Sequence, residues 1–158
     1  MTWNLFIDDE RNVEDVTWAP WQIQEKYRNE DWKIARSHYD VCNLLWEHGM
    51  PNFVSFDHDL GDNQKTGFDI TKYIVELDMD SAEPDKFGKT YEFATTFDFY
   101  VHSKNPIGKA NIEGLLYGYL RAKARAIEVP FDQVRFDELY DAAMEDDGTG
   151  DITVGKLK

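Results

Sequence analysis

The chain has a single cysteine, Cys42, so an internal disulfide is excluded and a reducing compartment is the default expectation. Cys42 falls on the apparent core face of a helix, which predicts an inert packed thiol and not a nucleophile. No apolar run approaches the length needed to span a bilayer, and the first residues enter a strand without a basic leader or an apolar signal segment. A cytoplasmic protein with no membrane association is therefore expected. Internal repeats and low-complexity segments are also lacking. Positive charge is scarce: 17 basic residues face 31 acidic ones, giving a formal net charge of −14. A surface this negative repels a nucleic-acid backbone at long range, so no extended nucleic-acid surface is expected. A nucleotide remains a candidate ligand only where a local basic feature or a metal overrides the field.

What the chain does have is core material. Of its 158 residues, 42% are hydrophobic and 15% aromatic, enough to fill one domain without staples. Trp3 to Ile7 is a short apolar run that stops abruptly at Asp8-Asp9-Glu10-Arg11, the mark of a buried strand reaching a polar edge. Residues 20–30 read as a helix, residues 32–37 as a second strand, and residues 39–48 as a helix ended by Gly49. Phe53 to Phe56 forms a third strand, ending in Asp57-His58-Asp59. A Gly, Asp and Asn-rich loop precedes a helix over residues 67–79, and residues 81–90 read as a polar insertion. Residues 97–101 form a fourth strand ending in His102-Ser103, followed by a helix over residues 108–126. This alternation predicts an α/β, doubly wound, mainly parallel sheet of four to five strands with helices on both faces. Residues 1–126 are assigned to that domain. Residues 127–158 are assigned to a C-terminal helical extension and acidic tail packed on it, with a helix near residues 131–144 and a possible closing strand at residues 152–154. The acidic turn over residues 145–152 resembles half an EF-hand loop, but Lys156 stands where the bidentate Glu belongs.

Three strands thus end in polar clusters, and an open parallel sheet binds ligands beyond the carboxyl ends of its strands. Clustered carboxylates raise one another's pKa unless a cation joins them, and hard oxygen ligands favour Mg²⁺, Mn²⁺ or Ca²⁺. A metal held by Asp8, Asp9 and Asp57 would polarise a phosphoryl oxygen or activate a water. His58 and His102 have the side chains suited to proton transfer near neutrality. Ser103, Lys104, Arg11 and the amides opening the helix near Gly108 are candidates for binding phosphate oxygens. Asp57 is alternatively a nucleophile that would form an aspartyl-phosphate. Trp18, Trp21 and Trp32 read as packing residues that, if exposed, could stack on a base.

The placement of these residues resembles the receiver domain of response regulators. Asp8 and Asp9 resemble its acidic pair, Asp57 its phospho-acceptor, Asp59 the position whose main-chain carbonyl completes the Mg²⁺ shell, and Ser103 its fourth-strand hydroxyl. The lysine that signalling receivers place at the end of a fifth strand has no match, Lys156 being a poor substitute. A closer resemblance is to a receiver-derived family proposed to process cyclic phosphates, found beside RNA-repair enzymes and in phage genomes. It rests on Leu5-Phe6-Ile7-Asp8-Asp9-Glu10-Arg11, Ser55-Phe56-Asp57-His58-Asp59-Leu60-Gly61, Gly67-Phe68-Asp69 and Val101-His102-Ser103-Lys104-Asn105-Pro106 with Gly108 and Asn111. The resemblance implies a Mg²⁺- or Mn²⁺-dependent phosphoesterase acting on a cyclic phosphate, a nucleotide or an RNA-end phosphoester. It also adds Asn105 and Asn111 to the expected substrate-binding set. The competing expectation is a non-catalytic receiver-like module that binds or sequesters a nucleotide or a partner protein. A phospho-accepting signalling receiver is the third.

Overall fold

The computed structural model describes residues 2–128, with side chains to residue 126. Four strands, β1 (Asn4–Ile7), β2 (Trp32–Ala35), β3 (Phe53–Phe56) and β4 (Asp98–Val101), alternate with four helices, α1 (Trp21–Asn29), α2 (His38–His48), α3 (Gly67–Met79) and α4 (Pro106–Glu128). The strands form one all-parallel sheet in the order β2-β1-β3-β4. The chain order therefore reverses beside β1, and the crevice at that switch opens between the carboxyl ends of β1 and β3. The expected doubly wound α/β architecture is what is observed. The proposed closing strand, C-terminal helix, EF-hand-like turn and Lys156 lie outside the described residues.

Alternation along the strands sends side chains to two cores, as the period of two requires. Leu5, Ile7, Val54, Phe56, Phe99 and Val101 pack with residues of α2, α3 and α4. Phe6, on the opposite face, packs with Val16, Ala19 and Tyr27, and with partly buried Ile23, Ile34 and Tyr100. Helices thus cover both faces. Among the described residues no helix is long and apolar enough to cross a membrane.

The helix starts are set by side chains. Ser37 Oγ accepts from the Asp40 amide to open α2, and Thr66 with Asp69 forms a reciprocal capping box on α3. Asn105 Oδ1 accepts from the Gly108 amide at 2.9 Å, so α4 starts at Pro106, two residues before the start expected from sequence. Gly49 ends α2 with φ 77°, a conformation that suits glycine. Cys42 is half-buried and not fully packed, with its Sγ 3.6 Å from His38 Nδ1.

Candidate metal and phosphate site

The sheet ladder runs one residue past the strands. Asp8 N donates to Ala35 O at 3.1 Å, Asp57 N to Ile7 O at 2.9 Å, and His102 N to Phe56 O at 2.9 Å. Each of the three is the first residue beyond its strand, so all continue the same alternation and lie on the Phe6 face. Their donor atoms come within 4.8 Å of one another, and together they could hold a metal ion. All three are buried.

Loop hydrogen bonds hold Asp8 in place. Its Oδ1 accepts from the amides of Glu10 (2.9 Å) and Arg11 (2.8 Å), and its Oδ2 lies 3.0 Å from His102 Nε2. Burial alone would raise the Asp8 carboxyl, but bonds from His102 and these two amides outweigh it and bring it to about 2. Asp57 has weaker support, chiefly the His58 amide at 2.9 Å. Burial and the neighbouring Asp8 charge push the Asp57 carboxyl up to about 6. One carboxylate is therefore held ionised while the other resists ionisation beside it. Arg11 Nη1 reaches both, at 3.4 Å from Asp8 Oδ2 and 4.0 Å from Asp57 Oδ2, but it is only half-buried. A donor set with excess buried negative charge and hard oxygens fits a divalent cation.

His102 is the most tightly specified of the three. Its ring stacks on Phe6 with centroids 4.5 Å apart and planes at 1°. Its Nδ1 lies 2.7 Å from Ser55 Oγ, which in turn lies 2.6 Å from the Tyr27 hydroxyl. Counting protons fixes the directions. Were His102 Nδ1 to donate to Ser55, either the Ser55 proton or, with Ser55 donating to Tyr27, the Tyr27 proton would be buried with no acceptor among the described residues. The satisfied arrangement is Tyr27 to Ser55, Ser55 to Nδ1, and Nε2–H to Asp8. His102 then orients Asp8 as a histidine orients a ligating carboxylate, with its Nε2 lone pair replaced by a proton.

The other expected residues divide into two groups. Ser103 Oγ accepts from the Asn105 amide at 3.1 Å and, beside its cap, Asn105 places Nδ2 3.2 Å from Asp59 Oδ2 and 3.4 Å from His58 Nδ1. His58 Nδ1 lies 3.2 Å from Asp59 Oδ1, and its Nε2 is buried without a partner among the described residues. Asn111 is fully buried, and neither amide atom has a partner among the described residues. Lys104 is exposed, with its ammonium 4.1 Å from the Trp18 ring centroid. Asp9 and Asp59 lie outside the three-residue cluster. Asp9 faces the Gly61 turn, and the Asp59 side chain is exposed against His58 and Asn105.

Several supporting residues carry no obvious signal as ligands. Ser55 and Tyr27 build the relay; a lone serine in the apolar run Phe53-Val54-Ser55-Phe56 is the only hint. Arg36 bonds the carbonyls of Asp8 (3.1 Å) and Arg11 (2.5 Å) and Asn12 Oδ1 (2.6 Å), fixing the loop that presents Arg11. Gly67 lies against the Asp57 carbonyl, and Gly108 against the His58 ring, so closely that a β-carbon at either would overlap its neighbour. Those contacts account for two glycines of the motifs.

No curated protein and no solved structure matches the chain. Residues 3–118, spanning all four strands and most of α4, match the cyclic-phosphate processing receiver domain, and the chain belongs to that family.

Proposed function

We propose that the chain is a Mg²⁺- or Mn²⁺-dependent phosphoesterase that opens a cyclic phosphate or cleaves a nucleotide or RNA-end phosphoester at the carboxyl edge of its sheet. The observation that carries this reading is the convergence of buried Asp8, Asp57 and His102 within 4.8 Å, with Arg11 bridging both carboxylates. Asp8 and Asp57 are the proposed ligands, with Asp9 and the Asp59 carbonyl as further contributors. A bound divalent ion would supply Lewis-acid polarisation of the phosphoryl group and a water of lowered pKa. Arg11 and Lys104 would bind non-bridging oxygens, with Ser103 and Asn105 at the approach and the amide of buried Asn111, unpartnered among the described residues, as a further substrate donor. Hydrolysis adds water oxygen to phosphorus and breaks one ester bond, whose oxygen must gain a proton. His58 is the proposed proton carrier: with Nδ1–H donating to Asp59, its buried Nε2 keeps a free lone pair. His102 acts through Asp8.

The test is incubation of the purified chain with 2′,3′-cyclic-phosphate RNA ends, cyclic nucleotides and small phosphoesters, with and without each metal. Turnover that depends on the metal and is lost in Asp57→Asn is expected. Tight binding with every ligand recovered unchanged would instead select a non-catalytic binding module.

A further inference from the structure

Among the described residues, Trp18 is the one exposed large aromatic tied directly to the carboxylate cluster. It sits in the segment between β1 and α1, with Val16 and Ala19 on either side of it buried in the Phe6 core. Its indole N–H donates to the His102 carbonyl at 2.9 Å, so the ring is fixed to the end of β4. Nevertheless, 37% of the residue remains exposed. Two cations rest against the ring: the Arg11 guanidinium at 5.2 Å and the Lys104 ammonium at 4.1 Å from its centroid. Arg11 is the same side chain that reaches Asp8 and Asp57. One guanidinium therefore touches both the carboxylates and the indole, so a phosphate at the first would have an aromatic face one side chain away.

Other aromatic surfaces differ. Trp46 also carries a cation, Lys89 at 3.7 Å, but it packs with Phe87 beside the polar insertion, where Asp80, Glu83 and Asp85 line the same cavity without belonging to the Asp8, Asp57 and His102 cluster. Trp21 is 66% exposed, with no cation and no ring against it among the described residues.

Resting on the phosphoesterase reading, we infer that Trp18 is the shelf on which the base of the substrate stacks. The substrate class is then a nucleoside phosphate with an unstacked base, either a free nucleotide or the last residue of an RNA end, and not a base-free cyclic phosphate. In the free protein, Arg11 and Lys104 occupy the indole face by cation–π attraction. An incoming phosphate draws both cations to its oxygens and uncovers the π surface for the base. The shelf is indifferent to base identity, because every base has a stacking face. On a chain of net charge −14 it gives a local site at which a nucleotide is favoured.

The experiment compares kcat/KM for nucleoside 2′,3′-cyclic monophosphates, a short RNA with a 2′,3′-cyclic end, and glycerol 1,2-cyclic phosphate, in the metal-loaded full chain. Wild type should prefer the first two. Trp18→Ala should lower that preference by about tenfold, mostly through KM, while Trp18→Phe should keep most of it. Trp18→Leu retains bulk without a π face and serves should the alanine variant not fold. An unchanged preference in both non-aromatic variants, or no preference in wild type, overturns the shelf. If no substrate is turned over, the phosphoesterase reading fails separately. Calorimetry with a 3′-nucleoside monophosphate against inorganic phosphate then decides: tighter nucleotide binding that disappears in Trp18→Leu supports the shelf, and equal binding overturns it.

Discussion

Ser55 Oγ lies 2.7 Å from His102 Nδ1, and this contact decides what His102 can do. In the arrangement that leaves no proton unpaired, Ser55 accepts from Tyr27 and donates to the imidazole, and the imidazole proton goes to Asp8. In Ser55→Ala the Tyr27 hydroxyl and His102 Nδ1 are both left buried and unpaired. A loss of about 2–4 kcal/mol of stability is expected, measured by denaturant unfolding. Nitrogen NMR of His102 in the metal-free wild type should show the Nε2–H tautomer, and Ser55→Thr should restore it. A wild-type Nδ1–H tautomer would contradict the relay.

The sequence made the ends of the strands legible because an apolar run that stops at adjacent acids is a local signal. Asp8, Asp57 and His102 each follow such a run, and parallel pairing in register brings them together. Asp9 has the same local signature but lies outside the cluster, its carboxylate by the Gly61 turn, which a one-dimensional reading does not separate from Asp8. Ser55, Tyr27 and Arg36 were hidden for a different reason. Their partners lie 47, 28 and 28 residues away, and only the folded sheet juxtaposes them. Similarly, Asn105 combines capping α4 with approaching His58, and only its capping role has a sequence signature.

Stability away from the site depends on Asp78. This buried carboxylate at the end of α3 accepts from the Phe93 amide (2.7 Å), the Tyr119 hydroxyl (2.5 Å) and Lys123 Nζ (2.8 Å), joining α3, α4 and the insertion before β4. Asp78→Ala should cost about 2–4 kcal/mol, since it leaves the buried Phe93 amide and Tyr119 hydroxyl without this acceptor while Lys123 can turn to solvent. Faster proteolysis within residues 83–97 should accompany it. A loss below about 1 kcal/mol would mean that the clamp is replaced by solvent.

The two site glycines make a graded pair. A β-carbon at Gly108 meets the His58 ring, a side chain that can move, whereas at Gly67 it meets the backbone of Asp57. Gly108→Ala should therefore fold, at a cost of about 1–3 kcal/mol partly offset by better helix propensity, but with His58 displaced and turnover reduced. Gly67→Ala should be the more destabilising of the two, since α3 must withdraw from the strand end. Thermal unfolding beside an activity assay checks the order. A Gly108→Ala protein with full turnover would remove His58 from the chemistry.

Asp57 gives a pH dependence whose sign can be worked out for the metal-free chain. Its carboxyl is pushed up from 3.8 to about 6, so the fold favours the protonated form. That contribution is fully present below the unfolded value and is lost as the pH rises through about 6. Asp8 behaves oppositely, but its window lies lower, between 3.8 and about 2. From pH 4 to 7 the Asp57 effect should therefore dominate this pair, destabilising the metal-free protein by up to roughly 2–3 kcal/mol at neutrality. Asp57→Asn should raise the Tm at pH 7 in chelator and flatten the slope. Added Mg²⁺ or Mn²⁺ should stabilise wild type increasingly above pH 6, where Asp57 is ionised, and should do little for Asp57→Asn. Calorimetric scans at several pH values, with and without metal, read both effects. Equal metal stabilisation of the two proteins would place the cation away from Asp57.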